Sequence, residues 1–226
     1  HPDDIEIFMY GLLATYLERK DNLFLAIATD GAAGQVKNNF KLKDVSLKDV
    51  RARETNKALN KLGSPHSFNF NDGELSFNNK AGLIIKNYIL KIMPDVIITH
   101  APEDYHPDHN ALSEYIVKAT GFHCPILFAD TLMGVNFTPE YYIDITKHFK
   151  EKEKAILNHK SQDPTRFLEA TKLLNRFRSA QCNTVSGHYA EAYRLDKRFP
   201  FSDIRSILPE PQVINPFYKS LSNSMI

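Results

Sequence analysis

The chain has 226 residues, 42% hydrophobic and 24% charged, and its 28 Lys and Arg against 27 Asp and Glu leave a formal net charge of +1. A chain of this length buries roughly 70% of its unfolded surface, enough for one full core or one domain with a small annex. Balanced charge argues against a nucleic acid held by net electrostatics, two cysteines exclude a disulfide scaffold, and short, interrupted apolar runs exclude a helical membrane span.

HPDD at residues 1–4 is followed at once by a helical pattern, in which Phe8, Leu12, Leu13, Tyr16 and Leu17 recur at the spacing of one helix face between residues 7 and 18. A strand is expected to feed such a loop from upstream of His1, outside this sequence. Residues 23–29 (LFLAIAT) read as a buried strand ending at DGAAG, and their nearly continuous apolar character suits a parallel sheet covered on both faces. A helix over 46–62 follows, capped by Ser46 with Asp49 three residues on, and Gly63 stops it. Residues 67–70 alternate like a strand and turn at Asn71-Asp72-Gly73. A helix over 79–92 ends before Pro94, and 95–100 (DVIITH) is a strand.

The polar loop APEDYHPDH leads into a helix over 110–119. Strands at 125–130 and 141–145 and helices at 146–159 and 164–180 complete the body. Short apolar strands alternating with longer helices predict an α/β fold, a Rossmann-like, mostly parallel sheet with helices on both faces. Its ligand site is expected at the carboxyl ends of the strands, where DGAAG and APEDYHPDH emerge. Residues 1–193 form one expected domain, and the Pro- and aromatic-rich 194–226 an extended arm packed on the body or on a neighbouring subunit.

Two clusters carry chemistry, His1-Pro2-Asp3-Asp4 and His106-Pro107-Asp108-His109. A catalytic zinc ion takes about three imidazole or carboxylate ligands and keeps one open position. The two loops offer His1, one of Asp3 and Asp4, and one or both of His106 and His109. Neighbouring carboxylates do not easily serve one ion alike, so one is a ligand and the other a base that takes a proton from water. His106 and His109 lie three apart at a helix start that tolerates Pro107, so they face one pocket. Zn2+ leads over Fe2+, Co2+ and Mn2+ for this donor set.

The chain resembles the LmbE-like / PIG-L family of zinc-dependent N-deacetylases. HPDD with Glu6 and a helix containing Gly11 matches the family's first motif, and HPDH at 106–109 matches its second. The resemblance implies His1, Asp4 and His109 as metal ligands and Asp3 as general base. It implies that His106 stabilises the oxyanion or protonates the leaving amine, with Asp108 orienting or charging it. Thr29-Asp30-Gly31-Ala32-Ala33-Gly34, Arg51-Ala52-Arg53-Glu54, Asn71-Asp72-Gly73, HKSQ at 159–162 and YAEA at 189–192 echo further family segments. They suggest Arg51, Asp72 and Glu191 as sugar-binding residues, Glu191 lining the pocket. His188 is assigned no chemistry.

Three departures stand near the expected pocket. Ala32 replaces a frequent Glu, Phe8-Met9-Tyr10 replaces small residues before Gly11, and Asn71 replaces Pro. The function implied is removal of the N-acetyl group from an N-acetylglucosamine-type sugar or conjugate, with release of acetate. The alternatives are an amidase acting on a sugar–thiol conjugate or other small amide, and a non-catalytic sugar-binding module. Dinucleotide use is disfavoured, because DGAAG lacks the G-x-G-x-x-G spacing that brings a backbone close to pyrophosphate. A homo-oligomer is compatible with the apolar 8–10 segment and the aromatic tail, and a cytoplasmic location is expected from the lack of a signal peptide.

Overall fold

The computed structural model describes residues 1–36, 40, 42, 44–182, 188–198 and 204–210. Its elements in chain order are α1 (Asp4–Phe8), α2 (Tyr10–Glu18), β1 (Ala26–Thr29), α3 (Leu47–Ala58), β2 (His66–Phe70) and α4 (Ala81–Ile92). They continue with β3 (Ile97–His100), α5 (Pro107–Thr120), β4 (Ile126–Ala129), β5 (Tyr141–Asp144), α6 (Phe149–Ile156), α7 (Pro164–Gln181) and β6 (Ala190–Leu195).

Strand β1 pairs in parallel with β2, and β3 in parallel with β4, with Ile97 opposite Ile126 and His100 opposite Ala129. Strand β6 then lies antiparallel between β4 and β5, so the larger sheet runs β3-β4-β6-β5. The α/β layering is the expected one, but the sheet is mixed, because the chain returns through a strand absent from the sequence reading.

Side chains of β4 sort onto the two faces with a period of two. Leu127 and Ala129 join Ile5, Leu12, Phe149 and Ile156, whereas Ile126 and Phe128 join Ile85, Ile89 and Ile116. Helices α1, α2, α6 and α7 therefore cover one face, and α4 and α5 the other. Complete burial of Leu12 contributes about 1.5–3 kcal/mol to this packing.

The helix expected over 7–18 forms as two pieces, because Met9 leaves helical geometry at φ −141°. Phe8, Met9 and Tyr10 are all buried in the chain's own core, which settles how this departure packs. Gly11 serves a close approach, since a Cβ there would lie 2.2 Å from the Cγ2 of Ile145. The helix expected from 110 begins earlier, at Pro107, and the one expected over 146–159 is confined to α6.

The two sheets flank a groove of about 780 Å3 whose apolar walls include Leu25, Ile27, Ile89, Val96 and Ile98, with His1 and Asp4 among its lining residues. The strand expected ahead of His1 lies outside the sequence. Of the expected 194–226 arm, residues 194 and 195 belong to β6. The stretch 204–210 touches the body where Arg19 Nη1 donates to the Leu208 carbonyl at 2.8 Å; residues 199–203 and 211–226 lie outside the described residues.

Candidate active site

The carboxyl ends of the parallel strands place the polar loops on one rim. Residues 30–34 follow β1, 71–74 follow β2, and His100 is the last residue of β3. Pro107 occupies the first turn of α5, where its missing N–H costs nothing. His106 is the N-cap residue, and its Nδ1 accepts the backbone N–H of Asp108 at 3.2 Å. That acceptor role leaves the proton of a neutral His106 ring on Nε2, as a donor.

The loop that opens the chain meets α5 across more than 100 residues of sequence. His1 Nδ1 lies 3.0 Å from His109 Nε2 and 3.2 Å from Asp4 Oδ2. His109 Nε2 lies 3.0 Å from the same Asp4 oxygen. Three donors bound to one tetrahedral ion at zinc distances stand about 3.4 Å apart, so these three side chains fit a divalent cation to within a few tenths of an ångström.

Their second partners point the same way. His109 Nδ1 is held by Asp104 Oδ1 at 3.0 Å, which fixes the ring with Nε2 turned inward. His1 Nε2 faces Asp72 Oδ1 at 3.0 Å and Asp108 Oδ2 at 3.3 Å. Burial disfavours charge on both rings, yet the carboxylates outweigh it. His1 is pushed up to about 12 by hydrogen bonds to Asp108, Asp4 and Asp72, and His109 to about 9 by Asp4 and Asp104. Asp4 is held well below the usual carboxylate range, with burial overcome by His109, His100 and His1. Protons bound this firmly mark a cluster with surplus negative charge, the environment a cation satisfies.

Asp3 takes a different partner. Its backbone adopts φ 112°, an uncommon conformation for a residue with a side chain. Its carboxylate accepts Arg51 Nη2 at 3.0 Å. Burial raises its pKa, and Arg51 opposes that rise. Arg51 also donates to the carbonyls of Pro2 at 2.7 Å and Gly31 at 2.9 Å. Gly31 is needed at this position, since it has φ 68° and a Cβ would lie 2.5 Å from Arg51 Nη1.

Behind Asp3, His159 Nε2 pairs with Glu6 Oε1 at 2.8 Å, both fully buried. Glu54 accepts the backbone N–H of Ser161 at 2.8 Å and its hydroxyl at 2.6 Å. The HKSQ segment thus anchors the first motif and α3.

Of the expected site residues, His1, Asp3, Asp4, Asp72, His106, Asp108 and His109 come together here. Three suggested roles need correction. Asp108 does not hold the His106 ring with its side chain. Its oxygens accept the backbone N–H groups of Gly73 at 2.7 Å and Leu75 at 3.1 Å, and its contact is with His1. Arg51 is buried and spends both terminal nitrogens on the loops, which makes it a clamp on Asp3 and not a group open to sugar.

Glu191 is not among the residues that line the groove. Both its oxygens accept backbone N–H groups at the start of α2, from Gly11 and Leu12 at 2.8 Å each. Lys152 Nζ at 2.6 Å and the Tyr193 hydroxyl at 2.7 Å take what remains. Asp72 remains at the site, held by His1 and by the Ala33 N–H at 3.1 Å. Ala32, the glycine-loop departure, is exposed, and Asn71 stiffens its turn through Glu74 at 2.9 Å.

Sequence reasoning missed His100 and Asp104. His100 Nε2 lies 3.2 Å from Asp4 Oδ2, and its ring stacks on His109 with centroids 3.7 Å apart at 4°. Burial lowers its pKa, keeping the ring neutral. The available signal was a histidine ending a strand at the rim where the second motif begins.

A family model described as PIG-L, GlcNAc-PI de-N-acetylase, matches residues 1–120, just over half of the chain and the part that carries both motifs. The chain belongs to the PIG-L family. Among PIG-L relatives, it is 23% identical over 212 residues to a diacetylchitobiose deacetylase from Thermococcus kodakarensis, covering 86% of this chain and 79% of that protein. It superimposes on an inhibitor-bound N,N'-diacetylchitobiose deacetylase from Pyrococcus horikoshii with TM-score 0.74 and 21% identity, over 90% of this chain and 85% of that one.

A 4-carboxy-2-hydroxymuconate hydratase from Pseudomonas putida is also similar, with TM-score 0.70, 18% identity and 96% of each chain covered. The fold therefore hosts more than one reaction, and chemistry must be argued from the site. No helix among the described residues is long and apolar enough to cross a membrane.

Proposed function

We propose that this PIG-L protein is a hydrolytic N-deacetylase that binds one divalent ion, zinc foremost, through His1, Asp4 and His109, and releases acetate from an N-acetylglucosamine-type sugar or conjugate. The observation that carries the reading is the convergence of His1 Nδ1, Asp4 Oδ2 and His109 Nε2 within 3.0–3.2 Å of one another, beside a separate carboxylate. When bound there, the ion supplies Lewis acidity and makes water a stronger acid.

The chain's own groups divide the remaining work. Asp3, clamped by Arg51 in a fixed orientation, accepts the proton of the attacking water and later returns it to the departing nitrogen. His106, neutral with its Nε2–H as donor, faces the negative charge that develops on the amide oxygen. Burial lowers the His106 pKa and the nearby His1 and His109 reinforce that, which favours a neutral hydrogen-bond donor. Asp72 is the remaining sugar-binding candidate, offering a carboxylate to a hydroxyl. Asp108 and Asp104 orient His1 and His109.

The test replaces Asp3 by Asn. Metal content is expected to stay at one ion per chain, while acetate release from a panel of N-acetylated sugars falls about 10²–10⁴-fold, the usual contribution of a positioned acid–base. Loss of the metal, or an unchanged rate, would overturn the base assignment. Acetate released by the unaltered protein only from non-sugar amides would replace the deacetylase reading with an amidase.

A further inference from the structure

We propose that His100, at the end of β3, is the positioning residue for Asp4. Its Nε2–H holds the carboxylate oxygen in the geometry that a divalent ion requires, and its ring is not itself a ligand. The inference rests on the metal reading of this site.

Four groups crowd one point, since Asp4 Oδ2 is 3.2 Å from His1 Nδ1, 3.0 Å from His109 Nε2 and 3.2 Å from His100 Nε2. By distance alone Asp4, His100 and His109 form as good a triad as any. Ring orientation separates them. An imidazole binds a cation along a nitrogen lone pair, in the plane of the ring. The His100 and His109 planes are parallel to within 4° and their centroids are 3.7 Å apart, so the rings lie face to face. A point in the plane of His109 therefore lies out of the plane of His100 by nearly that separation. The two rings cannot serve one ion together. His109 is the one whose outer nitrogen is tied to a carboxylate, at 3.0 Å from Asp104.

What remains for His100 is to donate. A neutral ring whose proton sat on Nδ1 would leave that N–H buried without a partner and set the Nε2 lone pair against the carboxylate oxygen. Both are costly because His100 is buried, at 4% exposure. With the proton on Nε2, the contact to Asp4 becomes a charge-assisted hydrogen bond, and Nδ1, which has no partner among the described residues, is a bare acceptor only. The Phe8 ring stands roughly perpendicular to both stacked rings and beside them, with centroids 5.4 Å from His100 and 6.1 Å from His109. This explains a bulky aromatic before Gly11: it packs beside the rings and helps fix their tilt. Hydrogen bonds to a ligating carboxylate typically matter 10–100-fold in metal affinity.

The experiment compares the unaltered chain with His100→Gln, which keeps an N–H donor at similar reach, and His100→Leu, which keeps bulk without one. Zinc affinity is measured by competition with a chromophoric chelator. His100→Leu is expected to bind zinc 10–100-fold more weakly, and His100→Gln to stay within a few-fold of the unaltered protein. Equal losses in the two variants, or none in either, would overturn the positioning role while leaving the metal site standing. Failure of the unaltered chain to bind any divalent ion would instead remove the metal reading, and this inference with it. A measurement independent of the variants is the ¹⁵N spectrum of the metal-free protein's imidazoles. It is expected to show His100 protonated at Nε2, and a proton at Nδ1 would sink the proposal even if His100→Leu failed to fold.

Discussion

At the scale of single residues, the pair behind Asp3 makes stability depend on pH in a definite direction. Burial raises Glu6 above its ordinary 4.5, so folding favours its protonated form and stability declines as pH rises from that value through the raised one. For His159, burial lowers the pKa but hydrogen bonding and charge from Glu6 prevail, and the net shift is upward from 6.5. Its contribution is complete below that ordinary value and lost as pH rises through the folded one. Both groups therefore work in the same sense. In metal-free protein, His159→Gln should melt lower than the unaltered chain at about pH 6, and the difference should shrink as pH rises above the ordinary histidine value. Parallel curves would mean that His159 does not change protonation on unfolding. The residues legible in the sequence were those whose motif states its own chemistry within four positions, such as HPDD and HPDH. Glu6, His100, Asp104 and His159 were not legible as a network, because each acts through a partner that only the fold supplies.

Among the elements, β6 is where sequence and structure part most clearly. AEAYRL contains residues as much at home in a helix as in a strand, and nothing local says that it inserts antiparallel between β4 and β5. Strands β1, β3 and β4 were legible as nearly continuous apolar runs, and β2 by its alternation. Strand β6 instead carries Glu191 and Tyr193 into the α2 face, where the carboxylate caps the helix start and neutralises Lys152 in full burial. This placement turns the suggested sugar contact into a structural one, with measurable consequences. Glu191→Gln leaves the Lys152 ammonium buried without its counter-charge, and should cost about 3–5 kcal/mol of stability in a denaturant titration. The KM for an N-acetylated sugar should stay the same for the folded fraction. A raised KM with unchanged stability would restore Glu191 to the pocket.

For the molecule as a whole, the site is a clasp between distant parts of the sequence. His1 and Asp4 enter with α1, Asp72 with the turn after β2, and Asp104, Asp108 and His109 with the approach to α5. Gathering four carboxylates around a few imidazoles opposes folding unless positive charge is bound among them. In the metal-free protein protons fill that role, as the upward shifts of His1 and His109 indicate. A divalent ion held only by the folded form adds RT ln(1 + [L]/Kd), about 2.7 kcal/mol at a free concentration of 100 Kd. For a domain of this size that is roughly 5–11 °C in Tm. Zinc added to chelator-treated protein should therefore raise Tm by that amount near neutral pH. The gain should shrink as pH falls, because both imidazoles must lose their protons to bind the ion. Asp4→Asn removes the carboxylate that meets His1, His100 and His109 and should abolish the zinc-dependent gain, while Asp3→Asn should preserve it. If the two variants respond alike, the division of neighbouring carboxylates into one ligand and one base is wrong.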